Sequence, residues 1–124
     1  MRGYECVRQV PTPVVTLDDV LLVPGAAAAP KIAALKVDVQ GSEKDVFLGA
    51  RRLLCDVALE HRPMYVIFED MQLQGEAVGE EGSAIGALLH SCGYVSGGLI
   101  ELNQVDVFWH RADVRKLSLK DDGV

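Results

Sequence analysis

Apolar and polar residues alternate strictly from Leu35 to Val39. Leu35, Val37 and Val39 fall on one side, Lys36 and Asp38 on the other. A two-residue period is the mark of a pleated strand with one buried face. After Gln40 and Gly41 the period changes. Val46, Ala50, Leu53, Leu54 and Val57 recur at helical spacing and predict a helix over 42–58. Ser42 stands at its start with Asp45 three residues on, in the positions of a capping box. Met64 to Phe68 then forms a continuous apolar run that ends in Glu69 and Asp70. Such runs suit a parallel strand buried on both faces. Strand, helix and strand make a βαβ unit with a right-handed crossover, which puts both carboxylate-tipped strand ends on one edge of the sheet.

The flanks add smaller elements. Residues 1–13 end in Pro11-Thr12-Pro13 and read as an extended lead-in, because a residue before proline avoids the helical region. Val14 and Val15 suit a short strand. Thr16 caps a short helix over 17–22, with Asp19 at its third position and Pro24-Gly25 as the stop. Residues 26–30 are a connector of small residues. Residues 71–82 are polar and carry Gly75, Gly79 and Gly82 at a spacing unlike a dinucleotide-binding loop, so they read as a plain loop. Ser83 is the expected cap of a helix bearing Ile85, Leu88, Leu89 and Cys92, closed by a left-handed Gly93. Tyr94–Ile100 and Val105–His110 read as an antiparallel hairpin, and residues 111–124 as a polar tail. The order is β-α-β-α-β-β, an α/β chain.

Charge and cysteine usage narrow the function classes. The net charge is −6 and the basic residues are scattered, which argues against a nucleic-acid surface. No apolar run approaches a membrane span, so no membrane partner is expected. The three cysteines, Cys6, Cys55 and Cys92, are far apart and odd in number, which suggests no disulfide framework and a cytoplasmic or other reducing compartment. His61, His90 and His110 are dispersed, so no metal site is expected. Phe108 and Trp109 read as core. The chemistry then rests on Asp38, at the end of a strand and before a glycine turn, where open α/β sheets bind ligands. Glu43 in the first helical turn and Glu69 at the next strand end are its neighbours.

The wording of these segments resembles the FkbM-type methyltransferase family. TLDDVL at Thr16–Leu21, LKVDVQGSEKDVFLGA at Leu35–Ala50, RPMYVIFE at Arg62–Glu69 and Gly93-Tyr94 follow its motif in register over about residues 14–110. The resemblance implies a partial Rossmann-like methyltransferase sheet. It also implies S-adenosylmethionine as methyl donor and a hydroxyl of a sugar or other small molecule as acceptor. Asp38, Glu43 and Glu69 would then be the catalytic set, with Lys36, Gln40 and Gly41 binding the substrate. Gln40 stands where the family has Glu, keeping an acceptor oxygen and losing the charge. No stretch before Thr16 supplies the family's cofactor loop, so the cofactor-binding residues stay unassigned and enzymatic activity stays open. A non-catalytic interaction module with the same fold, and an unrelated small α/β binding domain, are the competing readings. If the neighbouring strand is lacking, Leu35–Val39 is an open edge through which the chain self-associates.

Overall fold

The computed structural model describes residues 4–25, 30–70, 80–101 and 105–114. Residues 4–16 form no regular element, so Val14 and Val15 make no strand. The elements are α1 (Leu17–Leu21), β1 (Ala34–Val37), α2 (Glu43–Leu48), α3 (Arg51–Cys55), a 3-10 turn (Leu59–His61), β2 (Tyr65–Glu69), α4 (Glu80–Ser91), β3 (Tyr94–Glu101) and β4 (Val105–Arg111). The four strands form one open mixed sheet in the order β1-β2-β4-β3. β1 and β2 are parallel, with Leu35 opposite Val66 and Val37 opposite Phe68. β4 runs antiparallel to both β2 and β3. The βαβ unit and the final hairpin anticipated from periodicity are therefore both present. The predicted loop over 71–82 falls mostly outside the described residues, and its last positions, from Glu80, are already helical.

One face of the sheet carries the core. Val37, Val66, Phe68 and Val107 meet Phe47 from α2 and Ile85 and Leu89 from α4. Phe47 and Phe68 meet edge-on, with ring centroids 5.3 Å apart and planes at 72°. Trp109 packs partly buried against the same cluster. Phe108 points to the opposite face and stacks on Tyr65 at 5.8 Å. The hairpin bulges between Ser96 and Gly98. A side chain at Gly97 would collide with the Phe108 ring, so the close approach itself demands glycine there. The end of β4 is tied down by Arg111, which donates to the carbonyls of Leu59 and Arg62 and forks onto Asp113.

Three local expectations change. The helix over 42–58 is two helices, broken at Gly49-Ala50. The cause lies 34 and 35 residues upstream. The Asp18 carboxylate accepts from the N–H groups of Arg52 at 3.0 Å and Leu53 at 2.9 Å, while the Asp18 N–H donates to the Gly49 carbonyl. Those two N–H groups are among the orphans of a new helix start, and Asp18 does for α3 what a cap normally does from the adjacent position. Thr16 caps α1 as expected, accepting from the Asp19 N–H at 3.0 Å. Ser42 holds the cap position of α2 but makes no side-chain cap bond. Ser83 lies inside α4 rather than at its start.

The cysteine reading is also corrected. Cys55, at the end of α3, is joined to Cys92, just past α4, as a disulfide spanning 37 residues; Cys6 is free and exposed. The fold brings together two residues whose separation in sequence gave no hint of pairing. With them joined, the spacing argument for a reducing compartment no longer holds. Among the described residues no helix is long and apolar enough to cross a membrane.

Candidate functional site

The parallel pairing of β1 with β2 brings their C-terminal ends side by side, and Asp38 and Glu69 with them. The chain then reverses sharply. Gln40 has φ 56° and Gly41 φ 107°, two successive residues in the left-handed region. Glycine takes that conformation without strain; for Gln40 it costs on the order of 1 kcal/mol. The turn is held from below by Glu43. One of its carboxylate oxygens accepts from the Val39 N–H at 3.2 Å and the other from the Gly41 N–H at 2.9 Å. Glu43 is only 3% exposed. Glu43 thus fixes the turn from within the first turn of α2.

Asp38, Glu43 and Glu69 each present an oxygen within 4.8 Å of the others. Across the mouth of this cluster lies the Gln40 side chain. Its Nε2 donates to Asp38 Oδ1 at 2.8 Å and to Glu69 Oε2 at 3.3 Å. Two of the three proposed substrate-binding residues, Gln40 and Gly41, are thus part of the turn that frames the carboxylates. The third, Lys36, is exposed on β1, two residues before Asp38. Partial desolvation, a hydrogen bond with Asp38 and the negative charges of Asp38, Asp106 and Glu43 hold the Glu69 carboxyl above its usual range. Asp106 stands opposite Glu69 in the β2–β4 register.

This arrangement sets the exposed Asp38 side chain beside the Glu69 carboxyl, which is biased towards its protonated form. Three oxygens at this spacing can also hold a cation. Here, however, the Glu43 oxygens are spent on backbone N–H groups and the Gln40 amide already fills the space between Asp38 and Glu69.

The charge crowding makes a pH prediction. A carboxyl raised in the folded state loses stability as pH climbs through its folded value, and regains it as pH falls towards the ordinary carboxyl range. Glu69→Gln removes the repulsion while keeping the shape. It is expected to raise the urea midpoint slightly at pH 7, with the gain vanishing in acid where Glu69 itself is neutral. A midpoint that falls at pH 7 would show that the Glu69 charge is needed by the fold.

A groove of about 690 Å³ lies beside the cluster, which the sequence pattern did not announce. It is walled by Val14, Val15, Val20, Val39 and Val46, with Thr16, Ser42 and Asp45 as polar edges. Val39, the residue after Asp38, joins the two. Asp18, also missed as a functional candidate, shapes this wall by fixing α1 against α3. The family model described as the Methyltransferase FkbM domain matches residues 3–96. No curated protein and no solved structure matches the chain.

Proposed function

The chain belongs to the FkbM methyltransferase family, and from that premise we propose that it provides the acceptor side of a methyl-transfer site, presenting the hydroxyl of a sugar or other small molecule to S-adenosylmethionine. The observation that carries this reading is the convergence of Asp38, Glu43 and Glu69 at the ends of two parallel strands, within 4.8 Å of one another. The strand order β1-β2-β4-β3, with its antiparallel final hairpin, is compatible with the second half of a Rossmann-like methyltransferase sheet.

Methyl transfer needs the nucleophile in line with the methyl carbon and its leaving sulfur, so positioning supplies much of the rate. Asp38 accepts the hydrogen bond of the acceptor hydroxyl and takes its proton as the oxygen attacks. Gln40 and Glu69 fix the direction of that carboxylate. Glu43 keeps the turn rigid and takes no proton. Lys36 and the exposed Gly41 border the space where the rest of the acceptor lies.

The methyl donor is the electrophile of the reaction when bound. Its grip calls for backbone N–H groups at a strand-to-helix turn. At the turn between β1 and α2 the N–H groups of Val39 and Gly41 are already engaged by Glu43, so this turn does not fit that task.

Two titrations test the reading. Polyhydroxylated small molecules should shift the NMR amide signals of Asp38, Gln40, Gly41 and Glu69 and leave α4 unmoved. S-adenosylmethionine should give no micromolar binding heat with this chain. A panel without any shift at these four residues would remove the acceptor site. Micromolar cofactor affinity would place the donor's grip on residues not assigned here.

A further inference from the structure

Cys55 and Cys92 close two neighbouring helices. Cys55 is the last residue of α3 and Cys92 follows the last residue of α4, with 4.7 Å between their Cα atoms. A second tie crosses the same joint. Arg62 donates from Nε to the Val57 carbonyl at 2.9 Å and from Nη1 to the Cys92 carbonyl at 3.2 Å. Its guanidinium therefore links the chain just past α3 to the chain just past α4, as the disulfide does, but through hydrogen bonds. The joint also holds a partner for a reduced Cys92. Ser91 Oγ donates its proton to the Leu88 carbonyl at 2.7 Å and lies 3.8 Å from Cys92 Sγ. That oxygen is left as an acceptor; a thiol at Cys92 has a proton to give it, and a disulfide sulfur has none.

We infer that Cys55 and Cys92 are a reversible redox couple that latches α3 to α4, rather than a bridge on which the fold depends. Arg62 ties the two helix ends in both states, and Ser91 serves the thiol of the reduced one. The two sulfurs differ in access: Cys92 is 3% exposed and Cys55 is half-buried, so a small thiol enters at Cys55. Its thiolate attacks Cys55 Sγ, the S–S bond breaks, and Cys92 leaves as a thiolate that takes a proton from water. A second thiolate attacks the mixed disulfide and frees Cys55, which is protonated in turn. Two small thiols become one disulfide, and the protein gains two electrons and two protons.

The latch reaches the groove. The other end of α3 starts on the Asp18 carboxylate, which accepts from the N–H groups of Arg52 and Leu53. α3 has only five residues, so a covalent anchor at Cys55 restrains all of it, and α1 through Asp18. With the couple reduced, hydrogen bonds and packing alone hold α3, and it opens more often, carrying the α1 wall of the groove with it. The state of the couple thus sets how firmly that wall stands beside the carboxylates. The couple is independent of the methyl-transfer reading, since it rests on α3, α4 and Arg62.

Equilibration of the whole chain in graded mixtures of reduced and oxidised glutathione, followed by alkylation and peptide mapping, tests this. Cys55 and Cys92 should pass together from bridged to free in one two-electron titration. The reduced chain should keep its far-UV circular dichroism. Its Arg52 and Leu53 amides should exchange about tenfold faster than in the oxidised chain, with Ile85 and Leu89 in α4 unchanged. These readings need no substitution. Arg62→Met removes the hydrogen-bonded tie; because tie and bridge support each other, the ratio [GSH]²/[GSSG] at the midpoint should fall about tenfold. Cysteines unbridged at every ratio, loss of folded structure on reduction, or Arg52 and Leu53 amides indifferent to redox state would overturn the proposal. So would a folded Arg62→Met chain with the parent's midpoint.

Discussion

Asp38→Asn is expected to lower turnover in a methyl-transfer assay of the protein carrying this domain by about 10²–10⁴, the usual worth of a general base. At 1.36 kcal/mol per tenfold, this corresponds to about 2.7–5.5 kcal/mol of lost transition-state stabilisation. The substitution is a sharp one because so little else changes. Asn keeps the planar shape, and its carbonyl oxygen can still accept from the Gln40 amide, which bonds Asp38 at 2.8 Å in the parent. Glu69 loses a repulsive neighbour, so the fold is not weakened by the change. Acceptor affinity should move little, since Asn still accepts the hydroxyl hydrogen bond. The effect should appear in kcat rather than KM. Unchanged turnover would make Asp38 a part of the turn and nothing more.

Phe47→Ala should cost about 3–5 kcal/mol of folding stability. That is a large share of the roughly 5–15 kcal/mol by which a domain of this kind is stable. Phe47 is fully buried and meets Phe68 edge-on at 5.3 Å, so truncation loses the transfer energy of a ring and leaves a void in the middle of the core. The urea midpoint should fall sharply with the denaturant slope unchanged. A loss below about 1 kcal/mol would mean that the neighbours collapse into the space, against the close packing of protein interiors. The variant also reaches the site. Phe47 anchors α2, and Glu43, at the start of α2, holds the turn that frames Asp38.

The strands were the most legible part of this chain. Strict alternation marked Leu35 to Val39, and an unbroken apolar run marked Met64 to Phe68; both reflect burial, which sequence records residue by residue. The parallel pairing then brought Asp38 and Glu69 together as the βαβ topology requires. What escaped was everything decided at a distance. The break at Gly49-Ala50 is invisible to periodicity, because Val46, Ala50 and Leu53 keep helical spacing across it. The carboxylate that starts the second helix belongs to Asp18. The bridge between Cys55 and Cys92 is likewise a product of where α3 and α4 end, not of any spacing. Ser42 illustrates a different failure. It has the right residue type in the right place, yet its side chain makes no cap bond, and the side chain that organises this joint is Glu43, which reaches back to the N–H groups of Val39 and Gly41. Gln40 was read as a substrate-binding residue that keeps an acceptor oxygen and loses a charge, and its part as a donor was missed. Its amide is the donor that lets Asp38 and Glu69 sit so near each other, a part a fourth carboxylate could not play.

The bond from Asp18 to the start of α3 also sets an order of events during synthesis. α1 and α3 have five residues each, too short to persist as isolated helices in water. Asp18 must wait until Leu53, 35 residues later, has been added before its carboxylate has both partners. At about 5–20 residues per second, that wait is roughly 2–7 s. Through it the aspartate and the valines beside it stay in water on the ribosome, and the two helices then form together or not at all. The wall of the groove formed by α1 and the residues before it is therefore built late, by the arrival of a segment far downstream, although its own residues are made well before it.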